Sequence, residues 1–135
     1  MKTWEEDLMD LHAKFGVGAI VEKMPPDVLK AFLEFRKDFI AEECTELRDA
    51  TTADGVVDAL IDLCVVAVGT LEAFNVDVEE AWRRVHEKNM QKLAGENSGR
   101  KNAFGFPDLV KPQGWTPPDH RDNVGLLSLI FDESK

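Results

Sequence analysis

The sequence predicts an all-α protein: a four-helix core over about residues 3–94, a long irregular C-terminal tail over 95–135, and assembly as an oligomer. Three observations carry this. Apolar residues recur every three or four positions before residue 95, the period of helices with one buried face. The segment "VVDALIDLCVVAVGTL" (56–71) is apolar nearly all round, so its helix needs cover on every side, and a second copy of the chain would supply the last of it. After Gly95 the density of Gly, Pro and Asn becomes too high for regular structure.

The first helix runs from roughly Thr3 to Phe15, with Trp4, Leu8, Leu11 and Phe15 at helical spacing, and ends at Gly16. "EKMPPD" then marks a break. Pro25, Pro26 and Asp27 open a second helix carrying "VLKAFLEFRKDFIAEECTELRDA". A third begins near Asp54, acting as N-cap, and reaches about Phe74; a fourth starts where Asp77 and Glu80 resemble a capping box and ends near Leu93. In the tail, Phe104, Phe106, Leu109 and Trp115 favour a packed, ordered loop, and "NVGLLSLIF" reads as a short helix.

With 135 residues, 44% hydrophobic and 31% charged, the chain is expected to form a single domain over 1–135. A net charge of −10 argues against a nucleic-acid backbone or an anionic membrane as partner. The start "MKTWEEDLMDLHAKF" lacks the basic and apolar regions of a signal peptide, and no apolar run reaches membrane-spanning length; a cytoplasmic location is expected. Cys44 and Cys64, without metal-site spacing, read as reduced core thiols.

The chemistry is concentrated in "FIAEECTELRDA" (39–50). In this helix Val28, Leu29, Phe32, Leu33, Phe35, Phe39, Ile40 and Leu47 share one broad face. Glu43 falls near its middle, Glu46 within it and Glu42 at its edge. The next helix embeds Asp58 and Asp62 at i, i+4 spacing, with Gly69 near the same azimuth, where a missing side chain leaves room for another helix or a ligand. Ionised carboxylates cannot share a low-dielectric interior without a positive partner. Either basic residues such as Arg36, Arg48 or Lys92 pair with them, or a hard divalent cation does. Glu43 and Glu46 facing Asp62 make a suitable partial cage for Mg²⁺ or Mn²⁺. A Glu-x-x-His pair of the di-iron type, a zinc ligand cluster and a Walker-type phosphate loop are all missing from the sequence. The natural client of an all-helical carboxylate site holding Mg²⁺ is a di- or triphosphate.

These residues resemble the all-α nucleoside triphosphate pyrophosphohydrolases, the superfamily of MazG, the dimeric dUTPase-like enzymes and phosphoribosyl-ATP pyrophosphatase. "EECTE" matches the family's Glu-Glu-x-x-Glu motif at Glu42, Glu43 and Glu46, and Asp62 in "ALIDL" matches the aspartate of its second motif. The glutamate three residues before that aspartate is replaced by Ala59, with Asp58 adjacent. "VHEKNMQK" is similar to the family's Asn-x-x-Lys segment, and "KPQGWTPP" resembles the tail of the MazG-like branch found in phage and bacterial proteins. The resemblance implies Mg²⁺-dependent cleavage of a nucleoside or deoxynucleoside triphosphate between the α and β phosphates, giving monophosphate and pyrophosphate. It implies Glu43, Glu46 and Asp62 as metal ligands with Asp58 as a fourth, and Glu42 as the base that takes a proton from water. Asn89 and Lys92 would contact metal or phosphate. Arg100 and Lys101 are further phosphate donors, and Trp115 either stacks on the base or anchors the tail. His12 reads as structural, and the Trp82, Val85, His86 stripe at helical spacing as core or subunit interface. The expected assembly is a homodimer or a tetramer of dimers. Two other readings stay open: phosphoribosyl-ATP hydrolysis, and a non-catalytic helical interaction protein whose acids are ion-paired.

Overall fold

Thr3 opens the first helix because its hydroxyl accepts the Glu6 N–H while the Glu6 carboxylate accepts the Thr3 N–H, a reciprocal capping box. That helix is the first element of a computed structural model describing residues 2–96 and 104–131. The described elements are α1 (Trp4–Phe15), α2 (Val17–Glu22), α3 (Pro26–Asp49), α4 (Ala53–Ala73), α5 (Val78–Met90), strands β1 (Leu93–Gly95) and β2 (Asp108–Val110), and a 3-10 helix (Gly125–Leu129). The fold class is all-α with a largely irregular C-terminal region. Among the described residues no helix is long and apolar enough to cross a membrane.

The chain forms two compact units, the first built from the residues up to Val78 and from Asn123 onward, the second from Glu79–Asp122. In the first, Gly16 closes α1 in the left-handed conformation (φ 67°), donating its N–H to the end of that helix, and caps α2 at the same time. The sequence reading left residues 17–22 unassigned because one glycine both stops and restarts the helix there. Buried Val21 rewards the restart. α3 begins as expected at the proline pair, Pro26 sitting where a helix needs no N–H. α4 begins one residue earlier than the expected cap, because the Thr52 hydroxyl accepts the Gly55 N–H at 3.0 Å. Asp54 instead lies in the first turn, where its charge complements the helix N-terminus.

The core of this unit is Leu8, Val21, Leu29, Ala59, Val66, Ala73, Phe74 and Val76. On α4 the buried positions Ala59, Val66, Gly69 and Ala73 are small, so α1 and α3 can approach closely. The opposite side is not covered within one chain: Val57, Leu60, Ile61 and Val65 are 62%, 47%, 48% and 37% exposed, the side for which the sequence predicts cover from a second copy. Cys44 is also exposed and Cys64 half-buried, so the expected core position holds at most for the second. The C-terminal segment returns to the end of α4. The Asn123 amide brackets the Asp77 backbone, and the Leu126 N–H donates to the Phe74 carbonyl at 2.7 Å. Gly125 permits this contact, since a Cβ there would lie 2.0 Å from the Phe74 oxygen.

In the second unit α5 stops at Met90, short of the expected Leu93, because Leu93 turns from helix to strand and pairs with Val110 in an antiparallel two-stranded sheet. This strand pair occupies part of the tail expected to be irregular. Gly95 allows the close pairing; a Cβ there would meet Val110 Cγ2 at 2.7 Å. Trp82 is 74% exposed, which removes the core reading for it and leaves the interface one. Phe104, Phe106 and Leu109 are exposed as well, so of the tail residues expected to pack, Trp115 alone is half-buried.

Candidate metal centre

The inward stripe of α3 runs Leu29, Phe32, Leu33, Arg36, Phe39, Ile40, Glu43 and Leu47, each buried or half-buried. Two charged residues of opposite sign, seven positions apart, therefore stand in an apolar row. A short connection from α3 to α4 makes the two helices antiparallel neighbours, which brings Asp62 opposite the C-terminal half of α3. One carboxylate oxygen each from Glu43, Glu46 and Asp62 lies within 4.8 Å of the other two.

The electrostatics of this trio are unbalanced. The Glu43 Oε2 atom is buried and has no hydrogen-bond partner among the described residues. Burial first, then the Glu46 carboxylate by charge and hydrogen bond, then Asp62 and Glu42, push the Glu43 carboxyl above its ordinary value. Among the described residues no Lys or Arg forms an ion pair with any of the three. Arg36, the nearest basic residue along the stripe, is committed elsewhere: its Nε donates to Thr70 Oγ1 at 2.9 Å and its Nη2 to the Val66 carbonyl at 3.0 Å. Burial draws its own pKa down.

Oxygens bound to one hard cation at about 2.0–2.6 Å lie no more than roughly 4–5 Å apart. The trio meets that limit at its upper end, its donors are all oxygen, and one of its members, Glu43, carries the orphaned carboxylate oxygen. The residues fit a divalent cation such as Mg²⁺ or Mn²⁺.

The other expected site residues are placed differently. Glu42 is exposed at the edge of the trio and adds to the field on Glu43. Asp58 lies one turn before Asp62 on an exposed part of α4, outside the trio, while neighbouring Ala59 is buried in the core. Asn89, Lys92 and Trp115 belong to the second unit. There the Trp115 Nε1–H donates to the Lys88 carbonyl at 2.9 Å, which anchors the tail to α5. Arg100 and Lys101 lie outside the described residues.

Sequence reasoning missed a second polar cluster in the first unit. His12 Nδ1 contacts Glu72 Oε2 between α1 and α4, and Gly69 leaves the space beside it. A Cβ on Gly69 would meet Arg36 Nη2 at 3.2 Å, Leu8 Cδ1 at 3.3 Å and His12 Nε2 at 3.5 Å. The available signal was Arg36 itself, one heptad before Glu43 in the apolar row. His12 has the structural role expected of it.

The sequence profile of the phosphoribosyl-ATP pyrophosphohydrolase family matches residues 10–89, which span the carboxylate trio and reach Asn89. No curated protein sequence matches the chain.

Proposed function

The chain belongs to the phosphoribosyl-ATP pyrophosphohydrolase family, whose activity is pyrophosphohydrolysis of nucleotide-like substrates, and from that premise we propose that it is a Mg²⁺-dependent nucleoside triphosphate pyrophosphohydrolase. It cleaves a nucleoside or deoxynucleoside triphosphate between the α and β phosphates, yielding the monophosphate and pyrophosphate. The observation that carries this reading is the orphaned Glu43 oxygen in an oxygen-only trio with no basic partner among the described residues.

Bound Mg²⁺, or Mn²⁺ in its place, would neutralise phosphate oxygens, polarise the α phosphorus and acidify a coordinated water. Glu43, Glu46 and Asp62 would hold the cation, and Asp58, one turn away, would support them as a fourth acid. Glu42 lies at the solvent edge of the cluster, where a carboxylate free of metal is placed to accept the proton of the attacking water. As the water oxygen bonds to the α phosphorus, the bond to the bridging oxygen breaks and pyrophosphate leaves with that electron pair. Asn89, Lys92, Arg100, Lys101 and Trp115 are assigned to substrate contacts. Nucleoside triphosphates are abundant in the cytoplasm, where this reading places the protein.

The exposed side of α4 supports a homodimer, or a tetramer built from dimers. It is continuous with a cavity of about 250 Å³ lined by Trp4, Asp7, Leu8, Ile61, Cys64, Val65 and Val68, too much apolar surface to leave in water.

The test is pyrophosphate release with Mg²⁺ or Mn²⁺ across the dNTPs, dUTP, the ribonucleotides and phosphoribosyl-ATP, beside Glu46→Gln. Release from a triphosphate that disappears in the variant supports the proposal. Release from phosphoribosyl-ATP alone favours the second reading, to which the family match itself points; the "KPQGW" tail argues for the first. No release from any substrate by folded protein would leave the non-catalytic interaction protein, for which Ala59 is the best support.

A further inference from the structure

The exposed apolar side of α4 is badly matched to a copy of itself. From Ala53 to Ala73 the helix carries Asp54, Asp58, Asp62 and Glu72 and no Lys or Arg. A two-fold contact joins a patch to itself, so α4 against α4 would set acid against acid. The second unit is the better complement in charge. Residues 79–122 carry eight basic and seven acidic residues, against eight and nineteen in the rest of the chain.

Within that unit α5 is amphipathic, yet none of its residues is buried. Its arginines are closed by carboxylates, Arg83 by Glu80 and Glu87, and Arg84 by Glu80 and Asp122. Its exposed stripe includes Trp82, Val85 and Asn89 at i, i+3 and i+7, the spacing of a helix that docks in a groove. The exposed side of α4 offers such a groove, because the cavity lined by Trp4, Leu8, Ile61 and Val65 opens beside it. At about 250 Å³ that cavity exceeds the roughly 150 Å³ in which an apolar cavity holds benzene, which leaves room for an indole ring.

We propose that α5 of a second copy covers the exposed side of α4, with the second copy's Trp82 seated in the cavity, and that the contact repeats reciprocally about a two-fold axis. The cavity takes its α4 lining from residues 61–68, and the rest of the exposed side, Leu60 and Val57, lies toward the start of α4. With Trp82 in the cavity and the helices antiparallel, Val85 of the second copy packs beside Leu60. Asn89, seven residues and about 10 Å further along α5, reaches Val57 and Asp58. Asp58 is exposed at the rim of that side, so each acidic site is bordered by a residue from the other chain. This packing rests on the homodimer proposed above and on no assumption about the reaction.

The experiment is analytical ultracentrifugation of the full chain, wild type beside Leu60→Glu, Trp82→Glu and an equimolar mixture of the two. Both side chains are exposed in the single chain, so the circular dichroism spectra should match. The wild type is expected to sediment as a dimer, and each variant alone to self-associate at least about 100-fold more weakly. The mixture should form heterodimers, because one of the two reciprocal contacts then joins an unaltered α4 to an unaltered α5. The register is read by mixing Asp58→Cys and Asn89→Cys chains in a background with Cys44 and Cys64 replaced by serine. An interchain disulfide is expected in the mixture and in neither chain alone. A wild type that stays monomeric overturns the homodimer and this packing together. Either variant assembling by itself as the wild type does, a mixture no tighter than its components, or an absent mixed disulfide overturns this packing and leaves the homodimer standing.

Discussion

Two glutamates, one in each unit, stand in opposite electrostatic surroundings. In Glu79–Asp122, Glu80 is gripped by Arg83 and Arg84 and held down to about 2, and Arg84 also reaches Asp122 at 2.6 Å. In the first unit Glu43 is held above its ordinary value by burial and by other acids. Charges that serve architecture are closed by partners within the chain. A cluster left open, at a cost to the fold, is one that something else must complete.

Substitutions in the trio break this comparison most severely. Glu46→Gln or Asp62→Asn should reduce pyrophosphate release by more than the roughly 10–100-fold typical of losing an outer-shell partner, with the circular dichroism spectrum unchanged. Next in size is Arg36→Ala. It deletes the hydrogen bonds to Thr70 and the Val66 carbonyl and opens space beneath Gly69, so denaturant unfolding should show a loss of about 2–3 kcal/mol. Thr52→Ala should cost about 1 kcal/mol of stability through the lost cap, and Asp54→Ala less.

The smallest expected effect has the most informative sign. A carboxyl whose folded pKa is raised binds its proton more tightly in the folded state, so apo stability falls as pH rises from the unfolded value through the folded one. Glu43→Gln removes that penalty. At pH 7 in EDTA its melting temperature should exceed that of the wild type, and adding Mg²⁺ should raise the wild type but not the variant. Glu80→Gln, which breaks a closed pair, should show no such gain.

How far the sequence was legible follows from the same physics. Helical periodicity, the proline pair and Gly16 marked α1, α3 and α4 to within a few residues, and the acids in the apolar row of α3 marked the trio. Thr52 was missed as a cap because Asp54 is equally good chemistry two residues away, and only backbone geometry decides between them. Strand β1 was missed because "LAG" continues the α5 pattern; its partner lies 13 or more residues on, and pairing at that range leaves no local signature. Arg36 was read as one of several available cations. Its donors can be spent on a backbone carbonyl and a hydroxyl, and no periodicity reveals that choice.

The central claim is that Glu43, Glu46 and Asp62 hold a divalent cation. Electron paramagnetic resonance of Mn²⁺ titrated into the full chain, wild type beside Glu46→Gln, tests it without any assumption about substrate. The account predicts that the wild type depletes the free Mn²⁺ signal at micromolar protein, that Mg²⁺ restores it by competition, and that the variant depletes it at least tenfold less effectively. Equal depletion by both proteins, or none by either, would contradict it.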